Sequence, residues 1–595
     1  MTKLIKYLSP YKPVVALTLL LLLGQAIAEL YLPFLMTDIV NIGIIEGQTE
    51  HIWQIGMFML VIAFLSGVAS IASGYLAPRI AAGFARDLRR DLFIKVEGFS
   101  QHEFDRFSSA SLITRCTNDV TQVQTLVNLA GRMLCYAPLM GIGGIIMAVN
   151  QSVSMSWIIA LAVICLIGLV VSIASIVLPK IKIVQKLIDS LNRVSREILT
   201  GLMVIRAFGT QSHEQKRFAK VNQDLADTGL YIGRVMAIAL PALMLLMNVT
   251  AMLVIWVGSQ YVAEGALQIG DMMAFMQYAM RIIIAFMMVS MMIIFVPRAQ
   301  VSAERILEVL NAEESINDPI SNEIETFHPN KKGVVEFHNV RFRYQGAEVD
   351  ALEGISFTAL PGQTTAIIGA TGAGKSTIAN LLLRFYDISG GNILVEGVDI
   401  RKVRQADLRE KIGYVPQKSQ LIKGTISSNI RYGREDGDAD ETEDIVKEAA
   451  TIAQALSFIE EKPEQFEAEI AQGGANVSGG QRQRISIARA LAKVANSTNE
   501  ANATEKSGIL VFDDSFSALD FQTDAKLREA LSEHTGEATV IIIAQRVGTI
   551  MNAEQILVLD AGKIVGRGTH KELLESCPTY YEIASSQLAE GAENV

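Results

Sequence analysis

TAIIGATGAGKST, residues 365–377, runs from an apolar stretch into a helical pattern. In that setting it is a phosphate loop. Gly369, Gly372 and Gly374 let backbone N–H groups close on phosphate oxygens, and the start of the following helix favours an anion. Lys375 supplies charge to the outer phosphates and Ser376 reaches a Mg²⁺ ion, with Thr371 and Thr377 in the same loop. Further on, ILVFD (509–513) reads as a buried strand ending in Asp513, where a second Mg²⁺-orienting carboxylate belongs in this nucleotide fold. Between the two lies Val477-Ser478-Gly479-Gly480-Gln481, leading into a helical run with Arg482, Arg484 and Arg489. A Ser-Gly-Gly run at a helix start makes a second anion cradle; standing alone, it would read as a glycine turn capping a helix.

The sequence before this region has a different character. The chain has 595 residues, too many for one core, with 50% hydrophobic and only 19% charged residues. The apolar excess is concentrated before residue 300, in six stretches near 14–36, 52–77, 133–150, 155–178, 236–262 and 272–296. Roughly 20 apolar residues cross a bilayer, so these are candidate spans. The loop 78–131 carries Arg79, Arg86, Arg89, Arg90, Lys95, Arg106 and Arg115, and the loop 179–235 is also rich in Lys and Arg. The segments 37–51, 151–154 and 263–271 have neither residue. The positive-inside rule therefore places both long loops, both ends of the domain and the phosphate loop in the cytoplasm of a multi-pass protein of the cell membrane. Helical spacing through the long loops extends the membrane helices into the cytoplasm. The net charge of −10 carries little information, since the two halves meet different solvents. Cys116, Cys135, Cys165 and Cys577 stand too far apart in sequence for a disulfide framework or a zinc site.

Two charges fall inside spans, Glu29 and Arg281, at similar depth from the outer ends. They read either as an ion pair or as contacts for cargo. The sixth span is rich in methionine (Met272, Met273, Met276, Met280, Met287, Met288, Met291, Met292), which suits plain packing or an adaptable binding face.

On these motifs the whole chain resembles a half-transporter of the ABC exporter family, of the kind found in bacterial multidrug efflux. The resemblance implies an all-α six-helix transmembrane domain (1–300), a linker (301–333), an α/β P-loop ATP-binding cassette domain (334–585) and a flexible tail (586–595). Residues 369–377 match the family's Walker A, 509–513 its Walker B and 477–481 its signature, with Ser478, Gly479, Gly480 and Gln481 contacting nucleotide. Gln417, in Tyr414-Val-Pro-Gln, resembles the Q-loop, which joins Ser376 and Asp513 around Mg²⁺. Tyr344 resembles the aromatic that stacks on adenine, and Ser517–Asp520 the D-loop. Two such domains would sandwich two ATP molecules, short coupling helices are expected near 102–108 and 208–215, and ATP would drive alternating access. A nucleic-acid partner is not expected.

Three positions depart from the family pattern. Asp514 stands where the catalytic Glu belongs, its carboxylate drawn back by roughly 1.5 Å, and general-base catalysis tolerates little misplacement. Gln545 replaces the switch histidine; it can hydrogen-bond a γ-phosphate but cannot titrate. Gln472 stands where a glutamate is common. With Lys375 and the signature retained, this resembles the degenerate-site half of heterodimeric bacterial exporters. The resemblance implies a partner half-transporter with complete catalytic residues and a hydrophobic or amphipathic cargo. Peptide, lipid or haem-like cargo stays open, as does a nucleotide-gated regulatory role. Residues 494–507 form a polar insertion without a family match, read as a solvated loop.

Overall fold

The computed structural model describes residues 2–320, 322–433, 439–494 and 508–592. The polar insertion, from Ala495 onward, and the last residues of the expected tail, 593–595, lie outside the described residues. The chain forms two compact units, Met1–Gly98 with Phe107–Glu313, and Phe99–Arg106 with Glu314–Val595.

Six helices of the first unit are long and apolar enough to cross a membrane: Lys3–Ile45, Thr49–Glu97, Met133–Gln151, Val153–Thr200, Gln211–Ala263 and Ile269–Leu310. At about 1.5 Å per residue, those of 40 to 50 residues outrun a bilayer core of about 30 Å by a wide margin. The chain is a multi-pass membrane protein. The third and fourth helices are separated by Ser152, in extended conformation (φ −158°, ψ 107°), and the fourth opens with a single 3₁₀ turn, Val153–Met155. Without a hydrophobic force between helices in lipid, close packing carries the association. A Cβ on Gly144 would stand 2.8 Å from Ile282 Cγ1, so the third helix approaches the sixth through bare backbone. Beside this contact Tyr278 is fully buried and its Oη donates to the Leu30 carbonyl at 3.0 Å. Met272 and Met276 lie half-buried against the same cluster.

The expected coupling helix near 102–108 falls on the short helix Gln101–Phe107. No separate short helix occupies 208–215. A six-residue helix, Leu202–Ala207, ends at Phe208, Gly209 turns with φ +65°, and Gln211 already opens the 53-residue fifth helix. After Gln211 the helical periodicity meets no proline until Pro241, so the chain keeps winding through the cytoplasmic part of this helix.

The second unit is built on a six-stranded sheet. Ile412–Val415, Ile509–Asp513, Thr539–Ile543, Thr364–Gly369 and Gln555–Asp560 run parallel in that order, and Lys563–Gly568 closes the edge antiparallel. Every residue of Ile509–Asp513 and Thr539–Ile543 is buried, as expected of central parallel strands covered on both faces. A four-stranded antiparallel sheet, ordered Leu352–Ala359, Val335–Phe342, Gly390–Val395, Val398–Asp399, adds a second layer. The helix Pro578–Ala592 follows, covering residues 586–592.

Phe99–Arg106 belongs to this unit. Glu103, 3% exposed, caps its own helix by accepting from Ser100 N (2.8 Å) and Ser100 Oγ (2.6 Å), and its other oxygen accepts from Ser315 N (3.3 Å). Burial pushes this carboxyl up, but the bonds from Ser100 and Ser315 outweigh it and hold it below the usual carboxylate range. Tyr386 Oη donates to Asp105 Oδ2 at 3.2 Å, a second tie to the same segment.

Candidate functional site

The phosphate loop sits between the C-terminal end of Thr364–Gly369 and the helix Lys375–Leu382, where parallel sheets place ligands. Gly374 has φ +97°, and a Cβ there would stand 2.7 Å from the Ala351 carbonyl oxygen, so no other residue fits the turn. Around Gly372 (φ +86°) a Cβ would meet nothing within 4 Å, leaving open space above the loop. Lys375 Nζ donates to the carbonyls of Gly369 (2.7 Å) and Ala370 (2.9 Å). Burial draws its ammonium below the ordinary lysine range, against the pull of Asp514 and Asp513.

Ser376 Oγ donates to Asp513 Oδ1 at 2.9 Å, joining the loop to the strand end. Burial pushes the Asp513 carboxyl above the usual range, with the Ser376 bond working against it. A buried lysine, a hydroxyl and a carboxylate around an open glycine cradle fit a Mg²⁺–nucleotide.

Asp514 follows in the left-handed region (φ +49°), a conformation that costs energy for a non-glycine residue and clusters at functional sites. Its N–H donates to the Ile543 carbonyl at 2.8 Å, and its Oδ2 accepts from Gln545 Nε2 (2.9 Å) and Gln417 Nε2 (3.3 Å). Three residues from three strand ends thus meet at one oxygen. Gln545 is itself held: its carbonyl accepts from Gln587 Nε2 at 2.8 Å.

Tyr344 Oη shares a hydrogen bond with Thr377 Oγ1 at 3.1 Å, which sets this aromatic beside the phosphate loop. Its ring packs edge-on against Phe342 (4.7 Å) and Tyr386 (5.3 Å). Ser478–Gln481 stand apart from this cluster. Gln481 N donates to Ser478 Oγ (3.2 Å) and Ser478 N to Gln481 Oε1 (3.1 Å), a reciprocal cap at the start of Gly479–Val494. Among the described residues no hydrogen bond joins this turn, or Gln472, to the phosphate loop. Gly480 lies 3.5 Å, measured from a Cβ, from the carbonyl of Ala518, so the signature helix backs onto Ser517–Asp520. Sequence reasoning missed Tyr386, Gln587 and the Glu103–Ser315 anchor; the aromatic of Tyr386 four residues past the helix Lys375–Leu382 was the available signal.

A six-helix membrane unit joined to a phosphate-loop unit of this topology defines an ABC exporter. The chain matches the ABC transporter transmembrane region over residues 15–287 and the ABC transporter family over 352–497. It belongs to the ABC transporter family. An uncharacterized ABC transporter ATP-binding protein of Mycobacterium tuberculosis (strain CDC 1551 / Oshkosh) is 40% identical over 98% of this chain and 97% of its own length. YfiB of Bacillus subtilis, of the same description, is 38% identical over the full length of both chains. An ATP-dependent lipid A-core flippase of Haemophilus influenzae is 31% identical over 98% of this chain and 96% of its own. Among solved structures, a bacterial Atm1-family ABC exporter with ATP bound matches with a TM-score of 0.76 at 25% identity, covering 97% of this chain and 98% of that one.

Proposed function

We propose that this chain is one subunit of a heterodimeric exporter of the cytoplasmic membrane, with both termini and the nucleotide unit in the cytoplasm, and that its own ATP site binds nucleotide but hydrolyses it poorly. Gly369, Thr371, Gly372, Gly374, Lys375, Ser376 and Thr377 bind the phosphates, Tyr344 the base, and Ser376, Asp513 and Gln417 the Mg²⁺ ion. The ion, when bound, neutralises charge on the outer phosphates. Ser478–Gln481 serve the partner's site.

The observation that carries this reading is the state of Asp514. The shorter acid stands in the base position, and its Oδ2 accepts two amide hydrogen bonds, from Gln417 and Gln545. Neither amide can take up a proton at neutral pH. A carboxylate drawn back and already engaged by two amide donors is poorly placed to take a proton from an attacking water. Lipid or another amphipathic cargo fits the relative named a lipid A-core flippase.

The test is transport into inverted membrane vesicles by the chain co-expressed with a half-transporter that carries the complete catalytic residues. ATP-driven uptake of an amphiphilic dye should vanish when the partner's catalytic Glu becomes Gln. Uptake that survives this change would refute the division of labour, and nucleotide-dependent gating with no flux at all would favour the regulatory reading.

A further inference from the structure

We infer that Arg281, in the first third of the sixth membrane helix, is a binding site for the anionic headgroup, carboxylate or phosphate, of an amphipathic cargo. The inference rests on the exporter reading and deepens it.

Glu29 is thoroughly engaged. Its Oε1 accepts from Gln25 Nε2 at 3.0 Å, and its Oε2 accepts from Tyr136 Oη at 2.7 Å and from Arg281 Nη1 at 2.9 Å. Gln25 lies one turn away on the same helix, while Tyr136 begins the third span and Arg281 stands on the sixth. Arg281, in contrast, spends a single N–H on this carboxylate, and that bond is the one hydrogen bond it makes among the described residues. A guanidinium has five N–H donors. One placed only for neutralisation pairs fork to fork with its acid. Here the acid is shared among three donors, and most of the guanidinium's donors are left unspent.

Unspent charged donors are costly at membrane depth and face a cavity or a polar partner rather than lipid. The side chains of Arg281 and Glu29 remain 27% and 23% exposed, so the pair is not sealed into the helix core. Along the same helix face, Gln277 one turn before Arg281 and Met288 two turns after it are half-buried, and Ile284 is 38% exposed. A charged fork flanked by an amide and then by apolar side chains matches a molecule with an anionic head and an apolar body. Glu29 then has a defined part: it aims the guanidinium and lowers its net charge, which keeps anion affinity low enough for release.

Equilibrium binding to the intact transporter in nanodiscs, without nucleotide, tests this independently of ATP turnover. The probes share a dodecyl tail and differ in headgroup: phosphate, carboxylate, phosphocholine and trimethylammonium. The anionic heads should bind at least roughly tenfold more tightly than trimethylammonium. Arg281→Gln should erase that preference while leaving phosphocholine binding in place, and Arg281→Lys should keep part of it. Glu29→Gln retains an acceptor for Tyr136 and Arg281 and removes the opposing charge, so it should widen the preference; this variant serves if Arg281→Gln fails to assemble. Inorganic phosphate at matched concentration should not displace dodecyl phosphate. An unchanged preference in Arg281→Gln, or an unchanged or narrowed one in Glu29→Gln, would overturn the site. Displacement by inorganic phosphate as effective as by dodecyl phosphate would overturn the amphiphile and leave a free-anion site.

Discussion

Asp514 and Glu29 are both carboxylates that gather donors from separate elements, yet they answer to different solvents. Asp514 lies at a strand end and accepts from two neutral amides, Gln417 and Gln545. Glu29 lies inside a membrane helix and accepts from an amide, a phenol and a guanidinium. Where water can reach the site, neutral donors suffice to orient an acid, and its charge needs no counter-ion. In hydrocarbon the charge itself has to be met, because an isolated ion there costs several kcal/mol at least. The first arrangement leaves an acid oriented by two neutral amides, which on the proposed reading directs water at a phosphate poorly. The second leaves a cation only partly neutralised.

The largest effect that separates the two regions should come from Lys375→Met. Its ammonium has no surrogate in the loop, so nucleotide binding should weaken by roughly a hundredfold, while thermal stability of the membrane unit stays unchanged. Titration with a fluorescent ATP analogue reads the first, and detergent-solubilised unfolding reads the second. Retained affinity in this variant would mean that phosphate is held elsewhere.

Next in size is Glu29→Ala. Removing the acid strands Arg281 and deletes the bonds that Tyr136 and Gln25 donate to it, at a cost on the order of 2 kcal/mol of stability, with ATP affinity unaffected. Thermal unfolding in nanodiscs measures it; a cost indistinguishable from zero would mean the pair is not formed in the membrane.

The smallest effect concerns Glu103, whose folded-state carboxyl lies below its ordinary range through the bonds from Ser100 and Ser315 that outweigh burial. A lowered acid stabilises the fold above its unfolded-state pKa, and that contribution fades as pH falls through the ordinary carboxylate range towards the folded-state value. The stability gap between wild type and Glu103→Gln should thus be largest at neutral pH, at less than about 1 kcal/mol, and shrink on acidification. A gap that grows as pH falls would reverse the sign.

What could be read in advance follows the same division. The phosphate loop, the strand that ends in Asp513 and the signature were legible because each packs its chemistry into consecutive residues whose types dictate the local backbone: Gly374 must be glycine at φ +97°, and Ile509–Asp513 must be apolar to sit between two covered faces. The six spans were legible because a bilayer demands length and apolarity. Tyr136 was not, since its partner Glu29 is reached through helix rotation and packing, which no local pattern records; Gln25, by contrast, stands four residues before Glu29 on one helix, a spacing visible in the sequence. Glu103, 212 residues from Ser315, was hidden for the same reason. The segment 208–215 misled because a positive-φ glycine breaks the helix before Gln211 instead of after it.

The most direct test of the account is ATP hydrolysis by the purified chain in nanodiscs, as wild type and as Asp514→Glu with Gln545→His. The account predicts ATP binding with negligible turnover in wild type, and a gain of at least about tenfold when the longer acid and the titratable ring are restored. Brisk hydrolysis by the unaltered chain that is lost when Asp514 becomes Asn would contradict it.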